Sequence, residues 1–221
     1  VGEHCPVNAN GAAVTWIGEV DDKAGLDWLE SLVRQNSKDS EGDLAIYALS
    51  LHRSEEAGKQ LYSLAKETES DFSHEAIFWL GEARGEQGFK LLKQLLDELP
   101  MGDRRREINF ALSQNNSSEA AGLLFEISKS DPDPGQRGEA MLCLAEADPQ
   151  RAQPYLMAVI KTERDEDVLE EAVFAISQLP GDIGGKMLLD IARDNEAPTD
   201  VRRQAIFWMA QSDDDKTVAA L

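Results

Sequence analysis

The segment EAIFWLGEA, residues 75–83, carries the pattern that decides the fold of this chain. Its small residue Ala76 is followed four positions later by the large apolar Leu80 and sixteen positions later by Leu92. The same spacing recurs along the chain at steps of 31 to 33 residues. Because self-similarity at a fixed period of this length is typical of solenoid proteins, the repeat predicts a solenoid fold.

Four aligned columns of residues define the repeat. The small-residue column contains Ala13, Ala45, Ala76, Ile108, Ala140, Ala172 and Ala205. Large apolar residues stand four positions later, at Ile17, Leu49, Leu80, Leu112, Leu144, Ile176 and Met209. A leucine stands sixteen positions after each small residue, at Leu29, Leu61, Leu92, Leu124, Leu156, Leu188 and Leu221. A fourth column follows three positions later, at Leu32, Leu64, Leu95, Ile127, Val159 and Ile191. Seven leucines in register indicate seven copies of one structural unit.

Helix start and stop signals divide each copy into two helices. We predict that the first helix is capped five positions before the small residue, where mostly N-cap residue types occur. These positions hold Asn8, Ser40, Asp71, Asp103, Gly135, Asp167 and Asp200. Breaker-rich segments such as residues 147–149 and 179–182 separate the two halves. Each copy is therefore predicted to be a capped helix, a tight turn and a second amphipathic helix, which stacks on its neighbours to bury its apolar face.

Residues 75–83 and the segment VRRQAIFWMAQS, residues 201–212, resemble bacterial HEAT-like repeats of the phycobilin-lyase type. The resemblance extends over essentially the whole chain. It implies an all-α fold, an α-solenoid wound as a right-handed superhelix of about seven two-helix repeats, in a single array over residues 1–221. Because neither end has a polar capping repeat, we expect the array to be truncated at one or both ends. The resemblance also implies that the helix carrying the small-residue column lines the concave surface.

The amino-acid composition limits the classes of partner that we expect for this chain. The formal charge of −20, from 42 acidic and 22 basic residues, disfavours nucleic acids and anionic lipid surfaces. No apolar run approaches the ~18–20 residues that cross a bilayer, so no membrane insertion is predicted. Cys5 and Cys143 are four repeats apart and are predicted to remain unpaired. The residues leave the localisation open, although likeness to exported bacterial HEAT proteins favours a periplasmic over a cytoplasmic location.

A column of mostly aromatic residues stands two positions after the small residue. At 100° per residue it points about 200° away from the small-residue column, toward the expected concave side. It contains Thr15, Tyr47, Phe78, Phe110, Leu142, Phe174 and Phe207. These side chains could form an apolar stripe that binds a protein, or they could pack sideways between adjacent helices.

Acidic and amide residues border this column. One row contains Glu19, Glu82, Gln114, Glu146, Gln178 and Gln211. A second row contains Glu75, Glu107, Glu139 and Glu171. The rows suit a cationic partner, or they form an ordinary solvated face. We therefore predict a concave binding surface for a basic or amphipathic protein or peptide. Its candidate residues are Tyr47, Phe78, Phe110, Leu142, Phe174, Phe207, Glu82, Gln114, Glu146 and Gln178.

Tryptophan alternates with small residues in the next column, which contains Trp16, Ala48, Trp79, Ala111, Cys143, Ala175 and Trp208. Two positions later the chain has Gly18, Ser50, Gly81, Ser113, Ala145, Ser177 and Ala210. Wherever the first residue is tryptophan, the second is glycine or alanine. This pattern favours large-against-small core packing over a tryptophan cage for a ligand.

No catalytic, metal-binding or cofactor-binding residues are predicted. His74-Glu75 resembles one of the paired His-Glu motifs that hold two irons in deoxyhypusine hydroxylase, a HEAT-like enzyme, but no other repeat has the histidine. The leading hypothesis is a non-enzymatic interaction scaffold. The alternative is a bilin lyase or isomerase, which would need a carboxylate or the thiol of Cys143 in the groove, whereas Cys143 is predicted to be buried. A DNA-repair HEAT protein would need a basic concave face.

Overall fold

A computed structural model describes residues 21–35, 40–67, 70, 72–99 and 102–211. In this part of the chain there are twelve α-helices and no β-strand. They are α1 Asp22–Gln35, α2 Ser40–Leu51, α3 Glu55–Ala65, α4 Ser73–Ala83, α5 Gly85–Glu98, α6 Asp103–Ser113, α7 Ser118–Ser130, α8 Pro134–Ala147, α9 Pro149–Thr162, α10 Glu166–Ser177, α11 Ile183–Arg193 and α12 Thr199–Gln211. The predicted all-α solenoid of two-helix repeats is confirmed.

The helices alternate between two types, which differ in the column of residues that they carry. Even-numbered helices carry the small-residue column and are called first helices; odd-numbered helices carry the leucine column and are called second helices. Repeats 2 to 6 have both, while α1 is the second helix of repeat 1 and α12 the first helix of repeat 7. The predicted first helix of repeat 1, with Ala13, lies outside the described residues. So does the leucine column's last member, Leu221.

The columns form one continuous apolar core. The small residues are buried in all six first helices, from Ala45 to Ala205. In the leucine column the side chains from Leu61 to Leu188 are fully or almost fully buried, and Leu29 is partly buried. Each repeat therefore shares its apolar face with its neighbours, and the core runs along the stack instead of closing within one repeat.

The first helices form the more tightly packed layer. Consecutive first helices contact one another all the way from α2 to α12, whereas among the described second helices only α3 and α5 contact each other to a similar extent. At Gly81 in α4, an added Cβ would overlap the carbonyl oxygen of Ala111 in α6 and lie 2.7 Å from its carbonyl carbon. A layer with closer helix spacing is expected on the inner side of a curved stack, which is consistent with first helices facing a concavity.

Two of the predicted helix caps, those of α8 and α10, are placed two residues too late along the chain. In α8 and α10 the capping side chains are Asp133 and Asp165, two residues before the predicted Gly135 and Asp167. Asp133 Oδ1 accepts from the Gly135 amide at 2.9 Å, because Pro134 already occupies the first helical position, where its missing N–H costs nothing.

Other predicted caps lie inside the helices or outside the described residues. Ser40 and Asp103 are the first helical residues of α2 and α6, and Asp200 is the second residue of α12. Asn8 and Asp71 lie outside the described residues. Within the repeats, the predicted breaks are confirmed: Asp148 caps α9, and α10 and α11 are separated by residues 178–182.

Two side chains tie the turn of one repeat to the next repeat. The Arg84 guanidinium donates to the carbonyl oxygens of Ser50, His52 and Ser54 in the turn of repeat 2, reaching the Ser54 oxygen at 2.7 Å. In the same way, the Asn115 side-chain amide donates to the carbonyl oxygens of Gly81 and Gly85, each at 3.0 Å. Among these acceptors, Ser50 and Gly81 lie in the last turns of α2 and α4, where carbonyls have no intrahelical partner.

Candidate functional site

The predicted aromatic column lies along the first helices with its side chains partly in solvent. Tyr47, Phe110 and Phe207 are 41%, 46% and 53% exposed, and the other members, Phe78, Leu142 and Phe174, are half-buried. The rings also contact their neighbours in adjacent repeats. Sideways packing and partial exposure therefore coexist in this column.

The rings form two separate clusters. In the N-terminal ring cluster, Trp79 lies 4.8 Å from Tyr47 and 5.0 Å from Phe78, measured between ring centroids. Phe78 stacks on Phe110 at 6.3 Å, which carries the cluster from repeat 2 to repeat 4.

The C-terminal ring cluster joins repeats 6 and 7. Trp208 lies 4.8 Å from Phe174 and 5.2 Å from Phe207. Repeat 5 contributes no ring to either cluster, since its two corresponding residues are Leu142 and Cys143.

Trp79 and Trp208 are not core residues, which corrects the sequence-based interpretation of their column; Trp16 lies outside the described residues. Trp79 and Trp208 are half-buried and pack on the core from outside, each between the aromatic side chains of two neighbouring repeats. The glycine at position 81 is explained by the backbone of Ala111 rather than by Trp79. The pairing of large and small residues in these two columns therefore reflects how closely neighbouring helices approach each other. It does not reflect how the core is filled.

A pocket of about 520 Å³ lies at repeat 5, between the two ring clusters. Phe110 of α6 and Phe174 of α10 line it from either side, and Leu142, Cys143 and Ala145 of α8 line it between them. The remaining lining residues are Glu139, Glu146, Pro149, Gln178 and Pro180. We call this the repeat-5 pocket. Three residues of the predicted surface, Phe110, Leu142 and Phe174, are brought together here with two of its polar residues, Glu146 and Gln178.

The polar border is strongly acidic at this point. Glu146 is exposed and accepts hydrogen bonds from Gln114 Nε2 at 3.0 Å and from Ser113 Oγ at 3.4 Å. Glu139 is half-buried. Within the described residues, neither carboxylate has a lysine, arginine or histidine nitrogen within 4.0 Å. Both therefore remain available to a cation.

Several acidic side chains lie close together beside the repeat-5 pocket. Burial raises the pKa of Glu171, and the carboxylates of Glu139 and Glu170 raise it further, while Arg106 opposes the shift. A carboxylate whose ionisation is disfavoured in this way is stabilised by any cation that comes close. The remaining predicted polar residues, Glu82 and Gln114, are exposed and half-buried respectively and lie along the same side of the N-terminal ring cluster.

His74 pairs with a carboxylate of the next repeat rather than with Glu75. Its Nδ1 lies 2.8 Å from Glu107 Oε1, on the exposed side of α4 and α6. The described residues contain no group of three or more His, Cys, Asp or Glu side chains that could hold a metal ion. His74 thus pairs across the junction of two repeats with the half-buried carboxylate of Glu107.

Cys143 lies at the repeat-5 pocket but presents almost no surface to it. Its side chain is a free thiol, and the residue is 3% exposed. Burial raises the pKa of the thiol, and Glu139 and Glu146 raise it further. Since the thiolate is the nucleophile in cysteine chemistry, this environment opposes covalent attachment of a ligand to Cys143. Cys5 lies outside the described residues.

The sequence contains a signal for the pocket in repeat 5, where two columns change together. Leu142 interrupts the aromatic column and Cys143 interrupts the tryptophan-or-alanine column in the same repeat. Each departure is unremarkable when its column is considered alone. Only the coincidence of both, in a repeat flanked by Phe110 and Phe174, indicates that a ring-sized volume is left open.

Residues 89–177 match the family model for HEAT repeats. The match covers α5 to α10 and supports a HEAT-like repeat protein, whose period continues on both sides of the matched region. HEAT repeats are typically protein-interaction scaffolds. No curated protein matches the chain. Among the described helices, none combines the length and the apolar character needed to cross a bilayer.

Proposed function

We propose that this HEAT-like repeat array is a non-enzymatic scaffold that binds a protein or peptide on the exposed face of its first helices. The observation that carries the proposal is the pair of ring clusters, whose edges remain in solvent along one side of the stack. Partly exposed aromatic side chains supply large contact area at little entropic cost, and such residues are enriched among the anchors of protein interfaces.

The charge of this face supports a basic or amphipathic partner. Carboxylates at Glu82, Glu139 and Glu146 border the rings, and the chain as a whole carries a formal charge of −20. Apolar contact with the rings would supply most of the affinity, whereas the carboxylates would orient the partner and accelerate its association. A surface of this sign repels nucleic acid and anionic lipid, so a protein partner is favoured.

Selection from a random peptide display library on the immobilised full chain tests this function. Recovered peptides should be enriched in large apolar residues with lysine or arginine nearby. Phe110→Ala should weaken their binding by about 1 kcal/mol or more, as expected for a partly exposed anchor ring. Glu146→Lys should mainly slow association and reduce its salt dependence.

Trp28→Ala is the matched control, because Trp28 is a half-exposed aromatic residue on the second helix α1, away from the proposed face. Its replacement should leave peptide binding unchanged. The proposal fails if Phe110→Ala and Glu146→Lys bind the selected peptides as the original chain does while circular dichroism shows intact helices. It fails equally if selection enriches no sequence.

A further inference from the structure

We propose that the repeat-5 pocket is the anchor site of this face, and that it accepts one aromatic side chain from a partner segment carrying a basic residue on either side. This inference rests on the proposed scaffold function and specifies its partner. The pocket would hold the ring that repeat 5 does not supply itself, and the partner would thereby join the two ring clusters into one continuous row.

The first argument is steric. The other repeats carry rings at the corresponding positions: Phe78 and Phe110 stack on each other in repeats 3 and 4, and Phe207 lies against Trp208 in repeat 7. Among repeats 2 to 7, only repeat 5 lacks an aromatic residue at both the second and the third position after its small residue. A volume of about 520 Å³ lies within the ~300–1,000 Å³ range of ligand pockets and is ample for a single aromatic side chain.

The second argument is the chemistry of the lining. Seven of the ten lining residues are apolar, and the polar ones are Glu139, Glu146 and Gln178. An aromatic guest would lie between Phe110 and Phe174, the type of partner with which both rings make favourable stacked or edge contacts. A charged group in the same position would lose its hydration and is therefore excluded from the centre of the pocket.

The third argument is charge complementarity at the rim. Glu139 and Glu146 are seven residues apart on α8, which is two turns and about 10.5 Å along the helix. In an extended segment, alternate residues share one face and the first and fifth lie ~13 Å apart. The pattern Lys-x-Trp-x-Lys thus directs the ring into the pocket and lets two flexible lysine stems reach the two carboxylates.

The probe is the peptide Ac-Gly-Lys-Gly-Trp-Gly-Lys-Gly-NH2, synthesised with 5-fluorotryptophan and titrated with the full chain by ¹⁹F NMR. Binding should shift or broaden the fluorine resonance at moderate ionic strength. A peptide with alanine in place of tryptophan, detected through a fluoroacetyl group, should bind at least ten-fold more weakly. A peptide with glutamate in place of both lysines should not bind.

Two kinds of protein variant test the pocket itself. Leu142→Phe restores the residue type that Phe78, Phe110 and Phe174 provide at the same position, so it fills the pocket with a ring that this helix type accommodates. We expect at least a ten-fold loss of peptide affinity. Leu142→Met is its matched control: it keeps the pocket close to its original volume and should preserve binding.

Rim variants provide a second readout that does not alter the pocket volume. Glu139→Gln and Glu146→Gln should each weaken binding by about two- to five-fold at low salt, with a smaller difference at high salt. If the peptide binds but Leu142→Phe and both rim variants leave its affinity unchanged, the pocket is not the anchor, although the scaffold function survives. If the original chain does not bind the peptide, the anchor proposal is overturned, and the library selection decides the scaffold function separately.

Discussion

Repeats 3 and 5 are the most instructive pair of regions in this molecule. Their first helices contain EAIFWLGEA, residues 75–83, and EAMLCLAEA, residues 139–147, which share the small-column alanine, the leucine four positions later and both bordering glutamates. Repeat 3 adds Phe78 and Trp79 and belongs to a ring cluster, whereas repeat 5 has Leu142 and Cys143 and lines a pocket. The comparison teaches that the buried columns fix the stacking and that the surface between them varies without disturbing it.

The largest effect should be the same in both repeats. Leu92 in α5 and Leu156 in α9 occupy the same column and are fully buried. Leu92→Ala and Leu156→Ala should each lower the free energy of unfolding in urea by about 2–5 kcal/mol, because each removes the same buried atoms and leaves a cavity. A large effect in one repeat and a negligible one in the other would show that the two repeats do not share a framework.

A smaller loss of stability is expected where neighbouring first helices approach each other, because each repeat should be destabilised by the residue that the other has there. Gly81→Ala should destabilise the protein by about 1–3 kcal/mol, since its new methyl group would overlap the Ala111 backbone. The reverse change at the matched position, Ala145→Gly, should also destabilise the protein, by about 1–2 kcal/mol, because it lowers helix propensity and removes one buried methyl group. Thermal or urea unfolding measures both. If Gly81→Ala instead stabilises the protein, as it does in an ordinary helix interior, α4 and α6 are not in backbone contact there.

The smallest effects concern the bordering carboxylates. Glu82 is exposed and makes no described ion pair, so Glu82→Ala should change the free energy of unfolding by no more than about 0.5 kcal/mol. Glu146 accepts hydrogen bonds from Gln114 and Ser113, so Glu146→Ala should cost slightly more, about 0.5–1 kcal/mol. Urea denaturation at two salt concentrations measures the pair. A loss of several kcal/mol at Glu82 would mean that the faces of α4 are assigned wrongly.

The fold could be predicted from the sequence because burial in a stack repeats with the period of the chain. Every described small-column residue is buried, so a side chain's environment follows from its column alone. The helix caps could not be placed with the same accuracy. Asp133 acts as a cap because Pro134 starts α8 early, which is a property of one turn and not of a column.

The candidate site was less predictable because it depends on relations between repeats. The column position of Phe110 predicts a surface residue, but the pocket beside it lies where Leu142 and Cys143 stand in place of the rings found at those positions elsewhere. The hydrogen bonds of Arg84 and Asn115 could not be predicted from any column, because each depends on the positions of backbone carbonyls at a single junction between repeats. Patterns within a column predict burial, whereas functional surfaces depend on contacts across columns.

The hydrogen bonds of Arg84 and Asn115 also imply an order in which two junctions between repeats form during synthesis. A chain is synthesised from its N-terminus, and each donor lies in the repeat that follows its acceptors: Arg84 binds the turn of repeat 2, and Asn115 binds that of repeat 3. While the protein emerges from the ribosome, the newest of these turns still lacks the side-chain donor that the following repeat supplies. Each turn is secured when the next repeat docks, so translation itself closes these two junctions in order, from the N-terminal side.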